Sequence, residues 1–329
     1  MLRIARFVGA LIVTALATLN PATSKSQPLE AELRLIDLYQ NFKDAVVKVK
    51  IAIQTTDANG DTKVSLTVMT GFYIDSEGTV LTNAVPMEPG PRMRIEHKAT
   101  QFLAVPIASD PVTNLALLRV AQPPEKIDYI DINASNDSPE IGSIAYAISS
   151  PLNLDPTPKL GLVTGRESNF NEVAFPFTYT RVSIPSGPAE GGSPFFDSEG
   201  KLIGISVAAL PDVDSSYIIP ADQLAKIVEQ LQSEKSVSHP LIRASFLEQG
   251  GQEFGKRSII VTGLAAESNA EKSDLRVGDK IIQAQDTTLE SINQFRDLIA
   301  ELQPGNFIRL TIERGNQELE IPILLEKRN

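Results

Sequence analysis

Apolar and polar positions along this chain follow three different periods. From Phe7 to Leu19 the run is apolar except at Thr14 and Thr18, and Arg3 and Arg6 precede it. A basic start, a short apolar core and the small-x-small triplet Ala15-Leu16-Ala17 have the form of an export signal over residues 1–26. The core falls short of the roughly 20 residues that span a bilayer. An uncleaved membrane anchor over residues 7–19 is the alternative reading. Residues 27–44 pass from a polar linker into an amphipathic helix, with Leu35, Leu38, Tyr39 and Phe42 on one stripe.

From Ala45 the period falls to two. Val47, Val49, Ile51 and Ile53 alternate with lysines and small residues, the pattern of a half-buried strand. Ala58-Asn59-Gly60-Asp61 signals a turn. Further strands are predicted at Val68–Ile74, Thr79–Thr82, Leu115–Val120, Ile144–Ile148, Gly161–Thr164, Thr178–Ile184 and Leu202–Ala208. Many short strands between turns imply an all-β barrel or sandwich. After Pro220, the spacing of Leu224, Ile227, Val228 and Leu231 predicts a helix that closes a first domain over residues 45–232. A polar, Ser-rich linker, 233–240, leads to a second, smaller domain at 241–329. Its strands are predicted at Ile242–Phe246, Ser258–Thr262, Lys280–Ala284, Phe307–Glu313 and Glu318–Leu324. Ser291 with Gln294 forms a capping box before a helix bearing Ile292, Phe295, Ile299 and Leu302. No internal repeat is visible.

Composition narrows the chemistry. The 329 residues include 41 acidic and 30 basic side chains, a formal net charge of -11 that disfavours nucleic acid as a partner. Cysteine is absent, which excludes disulfides, thiolate metal sites and a Cys nucleophile. Only His97 and His239 are present, and no spacing suggests a metal site or cofactor. His97, between Glu96 and Lys98, reads as a solvated loop residue, and His239 as part of the linker.

The order of elements, with five local stretches, resembles the HtrA/Deg group of trypsin-like serine proteases with one PDZ domain. The stretches are Thr70-Gly71-Phe72-Tyr73-Ile74 with Gly78–Asn83, Asp110 with Asn114–Leu118, Ala189–Pro194 with Gly200–Ile205, Tyr217–Pro220, and Leu275-Arg276-Val277-Gly278-Asp279-Lys280-Ile281-Ile282. The resemblance implies a mainly β fold: a trypsin-like double six-stranded β-barrel followed by a C-terminal α+β PDZ domain. It also locates the three catalytic positions, and here they read Val85 for histidine, Asn114 for aspartate and Gly191 for serine. A serine protease needs all three groups together. Ser193 and Ser186 are neighbouring hydroxyls, but neither has a histidine nearby in the motif. Glu190 is expected to repel the anionic oxygen that such a loop holds.

The implied reading is an exported pseudoprotease that binds peptides or a protein partner, with regulation of an active protease as one use. The alternative is an active periplasmic serine endopeptidase with a non-standard catalytic arrangement. By resemblance, protein or peptide C-termini would bind along Ile242, Arg243, Ala244 and Phe246 and against Ile292 and Phe295 of the facing helix. Family members carry glycine where Arg243 stands, and a guanidinium there either blocks the carboxylate loop or pairs with a carboxylate. The same residues also suit a domain core. The resemblance further implies homo- or hetero-trimers with HtrA-like proteins through Leu38, Tyr39 and Phe42, unless these cap their own barrel. A membrane is a partner only if the N-terminal segment stays uncleaved.

Overall fold

The computed structural model describes residues 29–56, 62–87, 92–133, 138–171, 173–250 and 257–328. The expected export signal and the Ala58–Asp61 turn lie outside them. Helix α1 (Glu30–Phe42) is followed by β1 (Val46–Thr56), β2 (Thr62–Tyr73), β3 (Thr79–Thr82), β4 (Arg92–His97), β5 (Thr100–Asp110) and β6 (Leu115–Val120). These strands close into a barrel in the order β1-β2-β3-β6-β5-β4. Strands β7 (Ile144–Ser149), β8 (Thr157–Phe170), β9 (Val173–Val182), β10 (Pro194–Phe196), β11 (Leu202–Leu210) and β12 (Ser215–Pro220) close a second barrel along the same path. The expected double barrel is present, and its two halves repeat one topology that the residues do not advertise.

Alternation builds the barrels. Val47, Val49 and Ile51 of β1 are each 1% exposed or less, and they join Tyr73, Val80, Met93, Ile95 and Leu118 inside the first barrel. A separate core of Val163, Val182, Ile184, Phe195, Ile203 and Ile218 fills the second. A third cluster lies across both barrels and includes Phe72, Leu115, Leu117, Tyr146, Ile205 and Tyr217. Helix α2 (Ala221–Ser233) seals it with Leu224, Ile227, Val228 and Leu231. Burying one such side chain is worth about 1.5–3 kcal/mol. The α1 stripe is spent here too: Leu38 is buried, and Phe42 stacks on Phe196 at 4.6 Å between ring centroids. These residues cap their own chain's barrel.

Strands β4 and β5 were not predicted. Their hairpin turns through Lys98 (φ 48°) and Ala99 (φ 64°), left-handed residues without the Asn-Gly signature that such a turn favours. His97 therefore ends a strand and is buried, not solvated in a loop.

Beyond α2, β13 (Pro240–Leu241) leads to β14 (Ala244–Gly250), β15 (Arg257–Leu264), the short α3 (Asn269–Lys272), β16 (Lys280–Ala284) and β17 (Thr287–Thr288). Then come α4 (Ile292–Ala300), β18 (Phe307–Arg314), β19 (Gln317–Leu324) and β20 (Glu326–Lys327). The sheet order is β14-β15-β16-β18-β19, which leaves β14 at an edge. The predicted Ile242–Phe246 strand starts two residues late, because the Ala244 N–H turns back to the Ile242 carbonyl at 2.8 Å. Ser291 Oγ caps α4 by accepting from the Gln294 N–H.

Helix α4 also docks on the second barrel. Asn293 accepts from the Ser168 N–H at 3.0 Å and donates to the Arg166 carbonyl at 2.8 Å. The Asp297 carboxylate accepts from the N–H and the hydroxyl of Thr178, at 2.8 and 2.9 Å.

Candidate functional site

Val85 lies just beyond β3, 5% exposed, within the apolar core of the first barrel. Its N–H donates to Ser109 Oγ at 3.1 Å. Asn114 is held at φ 58°. Its Oδ1 accepts from the Ala84 N–H at 3.2 Å, and its Nδ2 donates to the Val207 carbonyl at 2.8 Å. One amide thus ties the two barrels together. An aspartate, which has no donor when ionised, makes only the first bond.

Gly191 accepts from the Thr70 N–H at 3.1 Å. A Cβ added at this glycine would sit 2.5 Å from Asn83 Nδ2, so the Asn83 amide occupies the space a side chain needs. Gly192 is stricter still. It adopts φ +86°, and its Cβ would fall 2.2 Å from the Thr70 carbonyl oxygen.

The neighbouring hydroxyls are already engaged. Ser193, 2% exposed, donates to the Glu190 carbonyl at 2.6 Å, and Ser186 Oγ lies 2.8 Å from Ser206 Oγ. Neither has an imidazole partner. Glu190 departs from expectation, because its carboxylate turns into the loop. It accepts from the Gly187 N–H at 2.6 Å, Ser149 Oγ at 2.7 Å and Lys159 Nζ at 2.6 Å. Burial alone would raise the Glu190 pKa, but the bonds from Lys159, Ser149 and Gly187 outweigh it and hold the group below the usual carboxylate range.

Both histidines lie elsewhere. His97 packs edge-on to Tyr73 at 5.6 Å, and its buried Nε2 has no hydrogen-bond partner. Burial first, and Lys98 second, push its pKa down. His239, expected to be a linker residue, lies between α2 and β13 and is buried, with Nε2 2.8 Å from Asp110 Oδ2. Asp110 also accepts from the Thr113 hydroxyl and, at 3.1 Å, from the Thr113 N–H. Burial would raise the Asp110 pKa, yet the bonds from His239 and Thr113 hold it low. The Asp110–Thr113 contact is local and legible. The His239 partner, 129 residues away, is not.

The second-domain residues do come together. Ile242, Arg243, Ala244, Phe246 and Ile292 line one cleft of about 700 Å³, whereas Phe295 is fully buried and meets Phe246 edge-on at 5.1 Å. Ile242 is itself 2% exposed and belongs largely to the domain core. Arg243 lies 3.7 Å from Glu326. Sequence reasoning missed Arg296 and Arg328, which line the same cleft. Among the described residues no cluster of His, Asp or Glu has metal-binding geometry, and no helix is long and apolar enough to cross a membrane.

Comparison with known proteins places both halves. The trypsin-like peptidase domain pattern matches residues 69–205, and the PDZ domain pattern matches residues 224–325. A probable periplasmic serine endoprotease DegP-like from Chlamydia trachomatis (serovar D) is 25% identical over 266 residues, 77% of this chain and 53% of its own. Another of that name from Rickettsia conorii is 24% identical over 333 residues, 96% of this chain and 64% of its own. The chain thus spans between half and two thirds of the length of these relatives. The solved HtrA-type protease AlgW with a tripeptide superposes with a TM-score of 0.74 at 17% identity, over 92% of this chain and 98% of the solved chain. At that identity the likeness speaks for the fold.

Proposed function

We propose that this HtrA/DegP-like chain, a trypsin-like domain followed by a PDZ domain, is an exported pseudoprotease that binds peptides or a protein partner without cleaving them. Val85 carries the reading. The position that resembles the family's histidine holds a hydrocarbon packed into the barrel core, and a hydrocarbon accepts no proton. Asn83 filling the space beside Gly191, and the internal bonds of Ser193 and Glu190, support it. The cleft beside the β14 edge supports peptide binding by strand addition, and AlgW is a relative in fold solved with a peptide. The names of the matched relatives support a periplasmic address.

Those same names favour a second reading, a working endopeptidase that uses Ser193 or Ser186 with another base. A fluorophosphonate probe and fluorogenic casein separate the two. The proposal expects neither labelling nor hydrolysis. Labelling lost in S193A or S186A, together with turnover, would establish the enzyme.

A further inference from the structure

Three arginines meet at one cleft of a protein that carries a surplus of acid. The start of β14, Ile292 and Arg296 of α4, Arg328 beyond β20, and Ala174 of the β8–β9 hairpin form its walls. Arg243 has a carboxylate nearby in Glu326. Arg296 and Arg328 have none among the described residues. The Nε–H groups of both are buried without a hydrogen-bond partner, and Arg328 otherwise donates to the neutral Ala174 carbonyl at 2.9 Å. Burial first, and the charge of Arg328 second, push the Arg296 pKa down to about 10.

Three acids on the elements around the cleft have partners of their own. Glu248 accepts from the Ile292 N–H at 2.6 Å and pairs with Arg257. Glu326 accepts from the Asn269 N–H at 2.7 Å, and Asp297 turns toward Thr178. Two desolvated cations sharing a cleft repel one another, and an arriving anion relieves both the repulsion and the unmet donors. A guanidinium is a planar fork of donors that fits a carboxylate with two parallel bonds.

We propose that Arg296 and Arg328 together form a carboxylate receptor in this cleft, whose ligand is an extended peptide with an acidic end. The proposal rests on the peptide-binding reading and deepens it. Recognition of charge is assigned to two side chains from α4 and the C-terminal tail, not to the backbone loop at Arg243. Because Arg328 also holds Ala174, the ligand is read where the second domain meets the barrel.

The test uses the full chain and fluorescein-labelled decapeptides of one apolar sequence with three ends: alanine with a free terminus, glutamate with an amidated terminus, and alanine with an amidated terminus. The two anionic ends are expected to bind at least roughly tenfold tighter than the neutral one. The tighter of the two identifies the source of the carboxylate. R296M and R328M, which keep most of the side-chain stem, are expected to remove that preference, and R296K to restore part of it. Melting curves confirm that the variants fold. In parallel, glutarate is titrated while the arginine Nε–H resonances are followed, and two of them are expected to move. Equal binding of all three peptides, or a preference that survives both methionine variants, overturns the receptor and leaves the groove. Glutarate binding with no peptide binding keeps the receptor and removes the peptide groove. Silence in both experiments removes both.

Discussion

The loop from Gly187 to Ser193 and the cleft between β14 and α4 resemble working sites to different degrees. In the loop, Glu190 is paired with Lys159 and Ser193 with the Glu190 carbonyl, and nearby Asn114, between β5 and β6, bonds to both barrels. In the cleft, Arg296 and Arg328 have no acidic partner among the described residues, and the Nε–H of each is buried without a hydrogen bond. The difference teaches that a loop which resembles a working site can be saturated by its own protein. The loop's groups are absorbed by hydrogen bonds within the protein, whereas the cleft keeps two buried Nε–H donors unmet.

Breaking the saturated side is expected to have the largest effect. Asp110→Ala strips the buried His239 and Thr113 of their acceptor and should lower unfolding free energy by about 3 kcal/mol in urea titrations at neutral pH. Lys159→Met leaves the Glu190 carboxylate buried without its cation, and a loss of about 2 kcal/mol is expected. Combining Lys159→Met with Glu190→Gln should recover much of it, because the buried group is then neutral.

Rebuilding the family's catalytic set as V85H, N114D and G191S together should give no casein hydrolysis. The new serine meets Asn83, and the expected instability is about 1–3 kcal/mol. Turnover by that triple variant would erase the contrast between loop and cleft.

Acid sharpens the same comparison with a smaller effect. Asp110 and Glu190 are depressed in the native state. Their contribution is therefore complete above the unfolded carboxylate value of about 4 and disappears as pH falls through the lower native values. Urea midpoints measured from neutral pH downward should fall accordingly, and D110A should flatten the curve. Asp297 runs the other way. Burial first, then the charges of Asp222 and Glu301, raise it despite the bonds from Thr178. Stability is then lost as pH rises through the carboxylate range to the raised native value. Asp297→Asn should remove that dependence and gain a few tenths of a kcal/mol in melting experiments, the smallest effect of the series.

Much of the architecture was legible because its signals are local. Alternation in Val47, Val49 and Ile51, the helical spacing of Leu224 to Leu231, and the Ser291–Gln294 cap each depend on residues within one element. The β4–β5 hairpin was lost because its turn uses Lys98 and Ala99. Val85, Asn114 and Gly191, at the three positions that resemble the family's catalytic set, could be read directly. The direction of the Glu190 side chain could not, since Ser149 and Lys159 come from other strands. The same limit hid the His239–Asp110 pair and the shared cleft of Arg296 and Arg328. Each joins groups far apart in the chain that only folding brings together.

Helix α4 presents adjacent faces to two neighbours: Asn293 and Asp297 grip the barrel while Ile292 and Arg296 border the cleft. Such a spindle cannot roll about its own axis without surrendering one grip as it adjusts the other. Whatever settles beside Arg296 therefore bears on the fastening of the whole C-terminal module.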